Sequence, residues 1–139
     1  ILGKKCREVE AFDERLWTLL DDMKDTVKAA NGAGLAAPQV AVLKRVCVVD
    51  TEDGYFELIN PVVRFQSGAQ TGVEGCLSVP KKYGTVTRPM KISVLAKDRF
   101  GQDVKYKVSG FTARAFMHEI DHLDGIVYTS KAIDMTDGE

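Results

Sequence analysis

Both histidines of this 139-residue chain stand in one pentapeptide, His118-Glu119-Ile120-Asp121-His122. Residues four apart on an α-helix lie one turn apart on the same face. The spacing therefore predicts a helix that presents two imidazoles to one point. Two such rings can bind one metal ion, and Glu119, adjacent to the first, is then a candidate general base. Two ligands are too few for an open catalytic site, which takes three protein ligands and a water. With only two histidines in the chain, the third ligand has to be a cysteine or a carboxylate, and the fold has to deliver it. The competing reading is a helix whose histidines are surface groups or satisfied core residues.

Asp124 is the nearest downstream carboxylate, but it follows His122 by two positions and points roughly 200° around the helix. Cys76 is a better candidate. It sits in Glu74-Gly75-Cys76-Leu77-Ser78-Val79-Pro80, and its thiolate would complete a Cys-His-His set with a fourth position open for water. Against this stands the ordinary fate of a free cysteine, which is burial as a small apolar residue. Cys6 and Cys47 fit that ordinary fate. Three cysteines at irregular spacing are not a disulfide framework, and they fit a reducing compartment.

Periodicity divides the rest of the chain. From Asp13 to Asn31, Leu16, Leu19, Leu20, Met23, Val27 and Ala30 recur every three or four residues, which predicts an amphipathic helix. Asp13 is its candidate N-cap, Phe12 and Trp17 its hydrophobic staple, and Asn31-Gly32 its stop. Strands are expected at Val46–Asp50, Tyr55–Ile59 and Val62–Phe65, with Thr51–Gly54 a hairpin turn and Asn60-Pro61 a break. Gln66–Gly72 reads as a loop. Lys91–Asp98 and Val104–Ser109 read as two strands joined by Arg99-Phe100-Gly101-Gln102. Ser109-Gly110 opens the histidine-bearing helix and Gly125 closes it. Val127-Tyr128 is a candidate short strand, and the polar tail Asp134–Glu139 is expected to fray. Helix, antiparallel strands and helix make an α+β fold, with antiparallel sheets packed around a central helix that carries the H-E-x-x-H motif. A single domain over residues 1–139 is expected, with an incomplete N-terminus because the chain opens on Ile1.

The small-residue segment Gly32-Ala33-Gly34-Leu35-Ala36-Ala37-Pro38-Gln39 lacks the Lys-Ser/Thr ending of a phosphate loop and the strand–GxGxxG–helix order of a dinucleotide site. It is either a backbone kept bare for an extended ligand, with Gln39 as the orienting hydrogen-bonder, or a packing turn. Composition bears on other classes. Nineteen Lys and Arg against 20 Asp and Glu give no reason to expect nucleic acid or a charged membrane surface as the main ligand. No apolar run approaches the ~18–20 residues of a membrane span.

Three segments together resemble peptide deformylase: Gly32–Gln39, Glu74–Ser78 and His118–Leu123, each similar to one of the family's three signature motifs and in the family's order. The resemblance extends through Asp13-Glu14-Arg15-Leu16, Ile59-Asn60-Pro61 and Leu123-Asp124-Gly125. It implies a metal-dependent hydrolase that removes the N-formyl group from the formyl-methionine of nascent polypeptides, releasing formate. Cys76, His118 and His122 would hold one divalent metal ion, ferrous iron in the cell, with zinc or nickel as alternatives in the isolated protein. Glu119 would be the acid–base group, and Gln39 and the Leu77 backbone N–H would stabilise the oxyanion. Gly34 and Gly75 would offer backbone groups to the peptide, and Glu74 with Arg88 would form an ion pair behind the site. N-formyl-methionyl peptides would be the partners, with transient ribosome association and neither nucleic acid nor membrane. Location would be the bacterial cytoplasm, with an organellar origin left open by the incomplete N-terminus. A generic H-E-x-x-H metallopeptidase and a non-catalytic metal-stabilised binding domain are the alternatives. Ala33, Ala41 and Met117 depart from the family's usual residues, and Ala33 and Met117 bear on local packing and substrate fit.

Overall fold

The computed structural model describes residues 6–30, 32–76, 79–125 and 135–137, of which 72–76, 79–86 and 135–137 are described through their backbone. Helix α1 spans Glu14–Ala29, and the Asp13 carboxylate accepts the Leu16 N–H at 3.3 Å as its cap. Leu16, Leu20, Met23 and Val27 form its buried stripe, as their spacing predicts. The strands are β1 (Gly34–Ala36), β2 (Val46–Thr51), β3 (Gly54–Ser67), β4 (Gln70–Cys76), β5 (Val79–Arg88), β6 (Lys91–Lys97), β7 (Asp103–Ser109) and β8 (Met135–Asp137). A 3₁₀ turn, Ala37–Val40, follows β1, and helix α2, Gly110–Leu123, follows β7. One sheet has the order β1-β2-β3-β6-β7 and a second the order β4-β5-β8, with every pairing antiparallel. The fold is α+β, as expected.

The core has two parts on opposite faces of the five-stranded sheet. Val46, Val48 and Ile59 pack with Leu16, Leu20, Met23 and Val27 of α1. Cys47, Val49, Leu58, Ile92, Val94 and Ala96 pack with Ala113, Phe116, Ile120 and Leu123 of α2. Strand β2 is thus buried on both faces, which is why Val46–Val49 reads as an unbroken apolar run rather than an alternation. Phe56, Tyr106 and Phe116 meet edge to face, with centroids 5.1–6.2 Å apart, a favoured aromatic geometry. Side chains of the second sheet also reach α2: Gln70 of β4 donates to the Gly110 carbonyl at 2.6 Å.

Four local expectations need correction. Asn60-Pro61 does not end a strand; β3 runs through it with a bulge between Ile59 and Val62, where a proline's missing donor costs no ladder bond. Only Gly68 and Ala69 separate β3 from β4, and Gly68 has φ +69°, so most of the expected Gln66–Gly72 loop is strand. Val79–Arg88 forms β5, where no strand is expected from sequence: Pro80 cannot donate to a ladder, yet a proline at the start of a strand is tolerated. Met135–Asp137 pairs with Lys82–Gly84 instead of fraying. Val127-Tyr128 lies outside the described residues.

Asn60 stands at φ +52° and its side chain acts as a length of backbone. Its Oδ1 accepts the Val9 N–H at 2.7 Å and its Nδ2 donates to the Val9 carbonyl at 2.9 Å. Both bonds tie the leading segment to the bulge. Asn60→Ala is expected to lower stability in urea by about 2–3 kcal/mol, from two lost bonds and a left-handed backbone. Asn60→Gly, which relieves only the backbone, should lose less.

Candidate metal centre

The histidine-bearing helix is α2. Its last six residues, His118–Leu123, are all buried, so the polar groups among them face protein rather than water. His118 and His122 present their rings with centroids 5.0 Å apart. One ligand atom from each of His118, Glu119 and His122 lies within 4.8 Å of the others. Burial, the neighbouring His118 and the Arg88 guanidinium lower the pKa of His122 to about 4. Its imidazole is therefore neutral at neutral pH, the form that ligates metal.

Strand β1 lies against this cluster. A Cβ placed on Gly34 would stand 2.8 Å from both Cγ and Oε2 of Glu119, closer than side chains tolerate. The segment of small residues therefore has a reason internal to the protein: Gly34 leaves room for the Glu119 carboxylate. Two residues on, the Ala36 N–H is accepted by Gln39 Oε1 at 2.9 Å, which turns the amide so that its NH₂ is the donor side. Because Ala36 directs its N–H away from β2, the period-two alternation of a strand directs the backbone groups of Gly34 the same way. Strand β1 is an edge strand of its sheet among the described residues.

Arg88, at the end of β5, forms a buried ion pair with Asp121. Reading the sequence paired Arg88 with Glu74 and passed over Asp121, the unassigned position within the motif. The available signal was chemical: a buried arginine needs a carboxylate, and Asp121 lies in the most buried part of α2. The side chains of Glu74 and Cys76, with Leu77 and Ser78, lie outside the described residues. The backbone places Cys76 at the end of β4, opposite Val79 after a register shift that follows Gly75. Asp124, already a poor candidate ligand, accepts from Arg45 at 2.8 Å, and Arg45 also donates to the Leu123 carbonyl at 3.2 Å. A cation at a helix C-terminus is favourable.

The other cysteines are buried and free. Burial and the nearby negative charge of Glu119 push the Cys47 thiol well above its usual range, which makes it an inert neighbour. Removing the carboxylate at position 121 takes from the buried Arg88 its ion-pair partner on α2. Asp121→Ala is therefore expected to cost about 3–5 kcal/mol in urea unfolding. Asp121→Asn, which keeps a hydrogen-bonding oxygen, should lose less.

Among known proteins, the family model for polypeptide deformylase matches residues 1–137. A peptide deformylase of Caldicellulosiruptor bescii is 56% identical over 133 residues, covering 96% of this chain and 80% of the relative. One from Acetivibrio thermocellus is 52% identical over 137 residues, covering 99% and 81%. In solved structures, the peptide deformylase of Thermotoga maritima superposes with a TM-score of 0.92 at 34% identity, covering 94% of this chain and 90% of that one. That of Legionella pneumophila superposes at 0.89 and 41% identity, covering 94% and 79%. Sequence, fold and the buried histidine pair lead to one assignment: the chain belongs to the polypeptide deformylase family, hydrolytic metalloenzymes that remove the N-formyl group from nascent peptides.

Proposed function

We propose that deformylation by this chain is carried out in one catalytic domain over residues 1–139, with His118, His122 and Cys76 as metal ligands and Glu119 as the acid–base group. The observation that carries this reading is the buried cluster of His118, Glu119 and His122, its ligand atoms within 4.8 Å of one another. A divalent ion fits that donor set: two imidazoles, one held neutral, beside a carboxylate. We assign ferrous iron as the ion in the cell, with zinc or nickel as substitutes. When bound, the ion polarises the formyl carbonyl and lowers the pKa of water.

The protein's own groups do the rest. Glu119 takes a proton from the attacking water as its oxygen bonds to the formyl carbon, and returns that proton to the amine as the C–N bond breaks. The products are formate and a peptide with a free α-amino group. The NH₂ of Gln39, set by its bond to Ala36, and the backbone N–H of Leu77 donate to the oxyanion. Gly34 on its edge strand, and Gly75, offer backbone groups to the extended peptide, a strand-addition mode. Glu74 joins Arg88 behind the site. Formyl-methionyl peptides are the substrates, met in the cytoplasm as they leave the ribosome. Among the described residues no helix is long and apolar enough to cross a membrane.

The direct test is formate release from formyl-Met-Ala-Ser by protein reconstituted anaerobically with ferrous iron. Glu119→Ala should retain the metal and lose turnover by at least ~100-fold. Cys76→Ala should lower metal content, and unchanged occupancy would remove Cys76 from the ligand set. Gly34→Ala probes the close approach of β1. A methyl group there displaces Glu119, so kcat should fall by about 100-fold while metal occupancy is kept. A change confined to KM would instead assign Gly34 to peptide binding alone.

A further inference from the structure

Helix α1 covers its face of the five-stranded sheet over β1, β2 and the start of β3. Over β6 and β7 the same face carries no helix among the described residues, and α2 lies on the other side. Cross-strand register sets out three rows there: Phe65, Ser93 and Lys107; Ser67, Lys91 and Ser109; Val62, Leu95 and Lys105. Phe65, Lys91, Ser93, Lys105, Lys107 and Ser109 line a groove of about 460 Å³, within the size range of small-ligand sites.

Three features of this groove point to one ligand chemistry. Lys91, Lys105 and Lys107 have no carboxylate partner among the described residues, whereas Lys97 at the far end of β6 is paired with Asp103. The near-neutral net charge thus hides a local excess of three ammonium groups. Ser93 is 6% exposed, and its buried hydroxyl has no hydrogen-bond partner among the described residues, so its desolvation is left uncompensated there. Ser109 caps α2 by position, yet its side chain makes no capping bond, so that hydroxyl is also available at the groove's edge. Phe65 stands 60% exposed in the same row as Ser93 and Lys107.

We propose that this groove binds nucleotide units of single-stranded RNA, with phosphates on Lys91, Lys105, Lys107 and the Ser109 hydroxyl, and a base stacked on Phe65. Lys105 and Lys107 are two residues apart on one strand, about 6.7 Å, the scale of one nucleotide step. An exposed aromatic on a sheet face flanked by cations is a stacking platform for bases. An acidic peptide would satisfy the lysines and leave the ring uncovered. The groove lies on the opposite face of the sheet from α2, so the ligand and a formylated peptide are accommodated together.

Fluorescence anisotropy of labelled decauridylate with the metal-loaded enzyme tests this. Saturable binding is expected at about 50 mM salt, weakening steeply by about 200 mM. The double variant Lys105→Glu with Lys107→Glu should weaken it by about tenfold or more, and Phe65→Ala by about fivefold or more. Both variants should keep wild-type deformylase activity, which verifies their fold. Displacement of the label by uridine monophosphate alone would identify a free nucleotide as the source; displacement only by unlabelled decauridylate would identify a strand. Absent saturable binding, variants that bind as wild type does, or oligoglutamate competing as well as RNA would each overturn the proposal.

Discussion

Strand β2 is held between two helices, and most of what makes the site follows from that. Val46 and Val48 face α1 while Cys47 and Val49 face α2, so one short strand joins both halves of the core. Burying four such side chains from both faces contributes several kcal/mol, at roughly 25 cal/mol per Å² of apolar surface. On one edge of β2 hangs β1, in a register that sets Gly34 opposite Val49 and Ala36 opposite Cys47. Shifting that register by one residue would turn the side-chain position of Gly34 to the other face, away from Glu119. The precision of the site is thus inherited from apolar packing that touches no reacting atom.

Electrostatics at the centre follow a second constraint. Four polar or charged residues in succession, apart from Ile120, enter the interior on one turn of α2, and each has to be compensated there. Asp121 is matched by Arg88. His122 is kept neutral by burial, by its fellow imidazole and by the same arginine. Cys47, which could carry charge next to Glu119, is held as a thiol. The outcome is a buried cluster with a fixed pattern of charge, the condition under which preorganised dipoles act most strongly.

How far the sequence revealed this depends on the kind of signal. Helix α1 and β7 were legible because their apolar residues recur with the period of the element, β2 and β6 as short apolar runs bounded by turn residues, and α2 from the spacing of its two histidines. Strand β5 was not: Lys81, Lys82, Gly84, Thr85 and Thr87 show no clean apolar alternation, and Pro80 cannot donate to a ladder. The continuity of β3 through Asn60-Pro61 depends on a tertiary partner, Val9, that no local window contains. At the site, residue types at motif spacing identified His118, Glu119 and His122, whereas Asp121 became meaningful only once Arg88 was seen beside it. Gly34 was noticed for its smallness, but what it makes room for is distant in sequence and required the fold.

The close approach of Gly34 to Glu119 also bears on how the protein is made. Gly34 lies well before Glu119 in the chain, so the niche is synthesised well before the side chain that occupies it. Until α2 has emerged, one face of the sheet, with Val49, Leu58, Ile92 and Val94, has nothing to pack against. A partly made chain therefore exposes a broad apolar surface through most of its synthesis, and it depends on rapid completion or on a chaperone to stay out of aggregates.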